Sequence, residues 1–296
     1  MDSDKSISSQ EHTDKQTSLS RRLTAVCLAA EELALLLMDM CAVTEAEGGE
    51  QQTQEILQQP LRMTLCDVGC DHALVPISLL KRGVFDRAIG LDVNVRPLER
   101  ARDNLGEYGI GKDALSLRLS NGLQALQPGE AQIVVIAGMG GLLVKEILEC
   151  SDLRALGIKA LVLSPHTKQA ELRSYLRSKG YDICAEKEIC DDGKYYPIIS
   201  VLVNVQSTSY WPHSLEQIRQ ASGCTQEEAL RLGDAFGPLL LRDRDEVLHE
   251  YLLKREKEVR RIRHQIAQNG SDHADMEQRL TFLATALRLW EKDNRS

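Results

Sequence analysis

The chain has 296 residues, room for one α/β domain with an appendage, and 43% hydrophobic side chains to fill a core. Its formal charge of -8 offers a polyanion no bulk attraction, so any contact with nucleic acid has to come from a local concentration of basic side chains. The eight cysteines contain no CxxC pair, which excludes the common zinc-ribbon spacings, and no metal is expected. With no secretory pattern at the amino terminus, they are expected as free thiols in a reducing cytoplasm.

Residues 1–18 are Ser, Gln, Asp and Lys with few apolar side chains, a composition that predicts a disordered tail. A helix is predicted over 19–42. Its apolar stretch is interrupted by Glu31, Glu32 and Asp39, which argues against a membrane span. Thr44 to Gln59 reads as a Glu/Gln/Gly loop. From Arg62 the pattern becomes short β-rich runs at 62–68, 87–91, 115–119, 131–137 and 159–164. These alternate with amphipathic helices near 73–82, 95–106, 140–149 and 168–179, and Pro76 and Pro97 are tolerable in first turns. That alternation predicts a parallel sheet with helices on both faces.

After Gly180, Ile183 to Ile189, the turn Asp191-Asp192-Gly193, and Ile198 to Val205 predict an antiparallel hairpin. Residues 206–237 read as loops around a short helix, with no role assigned. From Pro238 the pattern is helical. Leu248, Leu252, Val259, Ile262 and Ile266 form one stripe, and Met276, Leu280, Leu283, Leu287 and Trp290 form another. The stripes are separated by Asn269-Gly270-Ser271, so an antiparallel helical hairpin is expected. The predicted organisation is a tail over 1–18, a catalytic α/β domain over 19–205, and a connecting segment with a coiled-coil hairpin over 206–296.

The densest chemistry lies at Cys66-Asp67-Val68-Gly69-Cys70-Asp71-His72, where an apolar run ends in an acid, a glycine and a second acid ahead of a helix. A strand that enters a glycine turn and then a helix is the nucleotide-binding corner of an open α/β sheet, and a glycine there lets backbone approach a ligand closely. Asp92 ends the next strand at the distance where a carboxylate grips a ribose diol. Gly138-Met139-Gly140-Gly141 leaves the fourth strand on the same rim. Asn121-Gly122 follows the third strand, and Ser164-Pro165-His166 ends the fifth. Each has a bland reading as a turn or a structural histidine. Lys254, Arg255, Lys257, Arg260, Arg261 and Arg263 are either a solvated face with internal ion pairs or a set of phosphate contacts, and the sequence weighs these evenly.

Five parallel βα units closed by a hairpin form the sheet of the class I methyltransferases. A dinucleotide-binding Rossmann domain would continue with a sixth parallel strand, and the third glycine of GxGxxG is missing. Leu19-Ser20-Arg21-Arg22-Leu23, Asp67-Val68-Gly69-Cys70-Asp71-His72-Ala73, Ile136-Ala137-Gly138-Met139-Gly140-Gly141, Asp192-Gly193-Lys194-Tyr195-Tyr196 and Gly237-Pro238-Leu239-Leu240 together resemble the bacterial tRNA (adenine(22)-N1)-methyltransferases.

The resemblance implies a Rossmann-like, S-adenosylmethionine-dependent enzyme with tRNA as partner. Cofactor-binding residues would be Asp67, Gly69, Asp92, Asn121, Gly122, Gly138, Met139 and Gly140. Asp71, with His72 as second choice, would orient the target adenine. Pro165 and His166 would line its pocket, and Arg260, Arg261 and Arg263 would meet phosphates. The chain departs from the family's usual residues at Cys70, at Asn121 (usually Asp), at His166 (usually Asn) and at Pro197 (usually Glu). The alternatives are a methyltransferase of this fold with another RNA, small-molecule or protein substrate, and a tRNA-binding protein without activity.

Overall fold

The computed structural model describes residues 19–46, 63–203, 210–268 and 274–291. The expected tail over 1–18, most of the expected 44–59 loop, and the Asn269-Gly270-Ser271 turn lie outside these residues.

The first helix, α1, spans Arg21–Ala46 and runs a turn beyond its expected end. Five βα-type strands follow as predicted: β1 (Thr64–Val68), β2 (Arg87–Asp92), β3 (Leu115–Leu119), β4 (Ile133–Ala137) and β5 (Ala160–Ser164). The helices beside them are α2 (Leu74–Lys81), α3 (Val95–Glu107), α4 (Gly141–Glu149) and α5 (Gln169–Ser178). The hairpin is β6 (Asp182–Asp191) and β7 (Lys194–Leu202). The seven strands form one sheet in the order β3-β2-β1-β4-β5-β7-β6. Neighbours from β3 to β5 are parallel, and β7 is antiparallel to both β5 and β6.

Both faces of the sheet are covered, which is why its strands are near-continuous apolar runs. Alternate side chains divide between two cores. Leu65, Ile133, Val135 and Val162 pack with Val26, Ala30 and Leu33 of α1, and with Ile77 of α2 and Leu105 of α3. Cys66, Val68, Val134, Ile136, Leu161 and Leu163 pack with Val144 and Leu148 of α4 and with Leu172 and Leu176 of α5.

The expected loops around 206–237 are corrected by the structure. Two helices fill this region, α6 (Tyr210–Ser222) and α7 (Gln226–Phe236). Pro212 sits in the first turn of α6, where its missing N–H costs nothing, and Trp211 and Ile218 are buried. Thr225 starts α7 with a capping box: its hydroxyl accepts from the Glu228 N–H, and the Glu228 carboxylate accepts from the Thr225 N–H.

The short α8 (Pro238–Arg242) leads to α9 (Glu246–Gln268) and α10 (Ala274–Glu291). Arg263 pairs with Glu277 at 2.6 Å, and His249 stacks on Trp290 at 4.8 Å between ring centroids. Contacts at both ends in that sense make α9 and α10 antiparallel, as expected. Leu248, Leu252, Val259, Leu280, Leu283 and Leu287 form their seam with Ile218, Leu232 and Leu240 of α6, α7 and α8.

One buried ion pair ties this helical layer to the sheet. Arg173 of α5 and Glu186 of β6 are 1% and 0% exposed, and Nε donates to Oε1 at 2.8 Å. Arg173 Nη1 also donates to the Asp234 carbonyl at 3.2 Å, while Glu186 Oε2 accepts from the Leu239 N–H at 3.0 Å. Arg173→Met or Glu186→Gln leaves a buried partner without its counter-charge and should destabilise the fold by about 3–5 kcal/mol in urea denaturation. The double substitution Arg173→Met with Glu186→Leu should recover part of that loss.

Candidate functional site

The carboxyl ends of β1 and β4 diverge where the strand order reverses, the place where open α/β sheets hold ligands. A cavity of about 280 Å³ opens there. Asp67, Gly69, Asp71 and His72 line it from the β1 side, Gly138 and His166 from β4 and β5, and Arg22 from α1. A larger groove of about 770 Å³ runs between α4, α5, α7 and α10, away from the strand ends. Its acids are already engaged, Glu149 by Lys145 and Asp234 by Arg177, so the smaller cavity is the better candidate.

The β1 turn is held by a forked hydrogen bond. The N–H groups of Gly69 and Cys70 both donate to the Leu91 carbonyl, at 2.7 and 3.1 Å. Gly69 has φ 73°, and a Cβ there would stand 2.2 Å from Met139 Cε, so the turn and the β4 glycine loop touch because Gly69 has no side chain. Asp71 (φ 41°) and Ala73 (φ 54°) occupy left-handed backbone without being glycine, a cost typical of functional loops.

Asp67 is buried. Its carboxyl is pushed up to about 7, first by burial and then by the nearby Asp92. Asp92, also buried, accepts from the Asn94 N–H at 2.9 Å through Oδ1. Asp71 and His72 are more exposed: Asp71 lies 3.4 Å from Arg100 of α3 and 3.6 Å from His72. Asn121 and Gly122 stand at the end of β3, with Gly122 against Ile147, and Gly140 lies beside Thr167.

Pro165 is buried at the end of β5, and His166 faces outward with its N–H donating to the Met139 carbonyl at 2.8 Å. The His166 ring lies 5.2 Å from that of Tyr196, and its pKa is lowered by burial and then by the cations Arg22 and Lys194.

The structure brings together Asp67, Gly69, Asp71, His72, Gly138 and His166 around one cavity, with Met139 against Gly69 and with Asp92, Asn121, Gly122 and Gly140 along the same rim. Arg260, Arg261 and Arg263 do not enter the cavity. They lie on α9, where Arg260 pairs with Glu256 at 2.7 Å and Arg263 with Glu277. Lys254, earlier on that helix, donates to the Gly193 carbonyl at 3.2 Å and covers the Tyr195 ring, joining α9 to the β6–β7 turn.

Assigning roles from the sequence missed Arg22 and Tyr196. Both stand inside motifs that carried the family resemblance, but their sequence separation hides that the Arg22 guanidinium lies 5.3 Å from the Tyr196 ring centroid. Among the described residues, no group of three or more His, Cys, Asp or Glu could hold a metal ion, and no helix is long and apolar enough to cross a membrane.

The Asp67 carboxyl carries a stability signature. Its folded pKa, about 7, lies above its ordinary 3.8, so between these values the unfolded chain ionises while the folded one keeps its proton. Its contribution is therefore full below about pH 4 and is lost as pH rises through about 7, at about 1.4 kcal/mol per unit between them. Urea denaturation at pH 5 and pH 8 should show the Asp67→Asn variant losing less stability over that interval than the parent.

Residues 51–199 match the family model for the methyltransferase domain. The tRNA (adenine(22)-N(1))-methyltransferase of Bacillus subtilis (strain 168) is 26% identical over 230 residues, covering 78% of this chain and 90% of that protein. A Streptococcus pneumoniae protein solved in complex with S-adenosyl-L-methionine shares 28% identity at a TM-score of 0.61, with 76% of this chain and 92% of the other covered. The solved structure of the B. subtilis M1A22 tRNA methyltransferase TrmK, at 22% identity and TM-score 0.63, covers 94% of this chain and 99% of its own and shows the shared fold. The resemblance drawn from the motifs is thus met by relatives that span about three quarters of the chain. This chain belongs to the methyltransferase domain family.

Proposed function

We propose that this protein transfers a methyl group from S-adenosylmethionine to N1 of an adenine in tRNA, at position 22, in the cytoplasm. The observation that carries the reading is the join between motif and cavity. Three of the motifs that resemble the tRNA (adenine(22)-N1)-methyltransferases, those at Arg22, at Asp67 to His72 and at Gly138, meet at the β1–β4 rim, and the likeness extends over 90% of the B. subtilis enzyme. The rim suits the cofactor: a glycine wall that a Cβ would fill, and a buried acid whose surroundings raise its pKa and supply no compensating cation.

S-adenosylmethionine, when bound, supplies a methyl group on a positively charged sulfur. In this reading Asp92 accepts from the two ribose hydroxyls, Asn121 accepts from the adenine amino group, and Gly69, Gly122, Gly138, Met139 and Gly140 form the close walls. Adenine N1 carries an in-plane lone pair, so alignment and electrostatics do more than a base would. Asp71, steadied by Arg100 and His72, is placed to accept from the exocyclic amine and to stabilise the cationic methylated base. The His166–Tyr196 ring pair, following the buried Pro165, forms the wall for an adenine drawn out of its stack. The catalytic domain over 19–205 would thereby work with the helical layer over 206–296.

The test is methyl transfer from labelled S-adenosylmethionine to an unmodified tRNA transcript, with the modified base mapped. Label is expected on N1 of adenine 22 and absent when guanine replaces it; label elsewhere, or none, rejects the reading. Asp92→Ala should weaken S-adenosylmethionine binding by about 1–3 kcal/mol in calorimetry.

Exposed ion pairs such as Arg260–Glu256 are worth little, so those arginines can exchange a carboxylate for a phosphate at small cost. Replacing Arg260, Arg261 and Arg263 with Ala should weaken tRNA binding. It should also flatten the salt dependence, the slope of log affinity against log salt falling by roughly 0.7–0.9 for each phosphate that an arginine neutralised. Unchanged binding at every salt concentration would make α9 a scaffold only.

A further inference from the structure

The connection between β3 and β4, residues 120–132, carries Asn121 and Gly122 to the rim. The sheet gives it little support, because β3 is an edge strand bonded only to β2. Side chains hold it instead. The Ser120 N–H donates to the Asp92 carbonyl at 2.8 Å. Its hydroxyl donates to the Gly122 carbonyl at 2.8 Å and accepts from the Ala125 N–H at 3.1 Å. Arg118 of β3 takes the other side of Ala125: Nη1 donates to its carbonyl at 3.0 Å. The same guanidinium forks onto Glu130, Nη1 to Oε2 at 2.7 Å and Nη2 to Oε1 at 2.9 Å, while Nε donates to the Ser116 hydroxyl at 3.2 Å. Glu130 Oε2 also accepts from the Gln127 N–H at 2.8 Å. The bond from Arg118 holds the Glu130 carboxyl below its usual range, so the fork stays charged at neutral pH. The tip is seated as well: Gly122 has φ 57°, and a Cβ there would stand 3.0 Å from Ile147 of α4.

Arg118 and Glu130 do not line the cavity, and a partly exposed ion pair by itself adds little to stability. What a guanidinium fork adds is direction, because its planar donors fit one arrangement of acceptors. Here that arrangement fixes Ala125 and Gln127, and with them the turn in which the Asn121 carbonyl accepts from the Gln124 N–H at 3.3 Å. In the proposed function Asn121 accepts from the adenine amino group of the cofactor. One hydrogen bond distinguishes two ligands only when its acceptor is held in place. We infer that Arg118, locked by Glu130, is a positioning residue that sets Asn121 for the adenine amino group without touching the cofactor. The edge of the sheet would then take part in choosing the cofactor's base.

The inference rests on the methyltransferase reading, and the experiment distinguishes their failures. Calorimetry on the full chain, without tRNA, would compare S-adenosylhomocysteine with its 6-deamino analogue, in which purine replaces adenine and only the amino group is missing. The parent should prefer S-adenosylhomocysteine by about 5- to 10-fold, the worth of one hydrogen bond. Asn121→Ala should bring that preference to within a factor of about two. Arg118→Met should do the same from outside the contact, and adding it to Asn121→Ala should change the preference no further. Circular dichroism and thermal melting report whether each variant is folded. Glu130→Gln, which keeps the side chain's size and weakens the fork, should lose part of the preference. It decides the question if Arg118→Met does not fold, and an unchanged preference there overturns the role.

If Arg118→Met is folded and weakens both ligands equally or neither, the positioning role is overturned while the methyltransferase reading stands. If the parent has no preference, or Asn121→Ala keeps it, Asn121 is not the acceptor and the role of Arg118 falls with it. If the parent binds neither ligand, both readings fall.

Discussion

The N–H groups of Gly69 and Cys70 share one acceptor, the carbonyl of Leu91, and the geometry of the rim depends on that fork. It turns the chain sharply at the end of β1 and holds the turn against the end of β2, so that Asp67 and Asp92 are buried near each other. Burial first, and then the nearby Asp92, make Asp67 keep its proton to a higher pH. The strain at Asp71 and Ala73 belongs to the same turn. Such an arrangement is unfavourable for an empty scaffold and favourable for one that receives a cation and a diol.

A second constraint joins the sheet to the helical layer. Arg173 and Glu186 spend their donors and acceptors partly on each other and partly on the backbone of residues 234–239. Their burial is tolerable because Arg173 Nη1 and Glu186 Oε2 each find a backbone partner, which joins α7 and α8 to the sheet. Nearby, Glu188 is pushed up to about 8, chiefly by burial, and packs beside Tyr195 and Tyr251. The α9 helix leans on the same hairpin through Lys254. The β6–β7 turn is therefore a shared support: Asp191 and Tyr196 steady α1 and its Arg22, and Gly193 and Tyr195 steady α9 through Lys254.

Local rules made the sheet legible. The apolar runs that became β1 to β5 read as strands because short continuous apolar runs and flanking turn residues act within a few positions, and the hairpin followed from Asp191-Asp192-Gly193. The capping box at Thr225 and Glu228 was equally local, and the loop reading of 206–237 overlooked it. The rim residues Asp67, Gly69, Asp92 and Gly138 were also legible, because they sit at strand ends whose order follows from the βα alternation.

What the chain by itself determined was thus the elements, their order and the acids and glycines at their ends, all properties of neighbouring residues. Tertiary structure alone decided which distant side chains share a space. It placed Arg22 and Tyr196 together at the cavity, set Arg173 against Glu186, and paired Arg260 and Arg263 with acids on α9 and α10. Those contacts depend on how the layers pack in three dimensions, and no short window of sequence encodes the angle between α1, the sheet and the carboxyl-terminal helices.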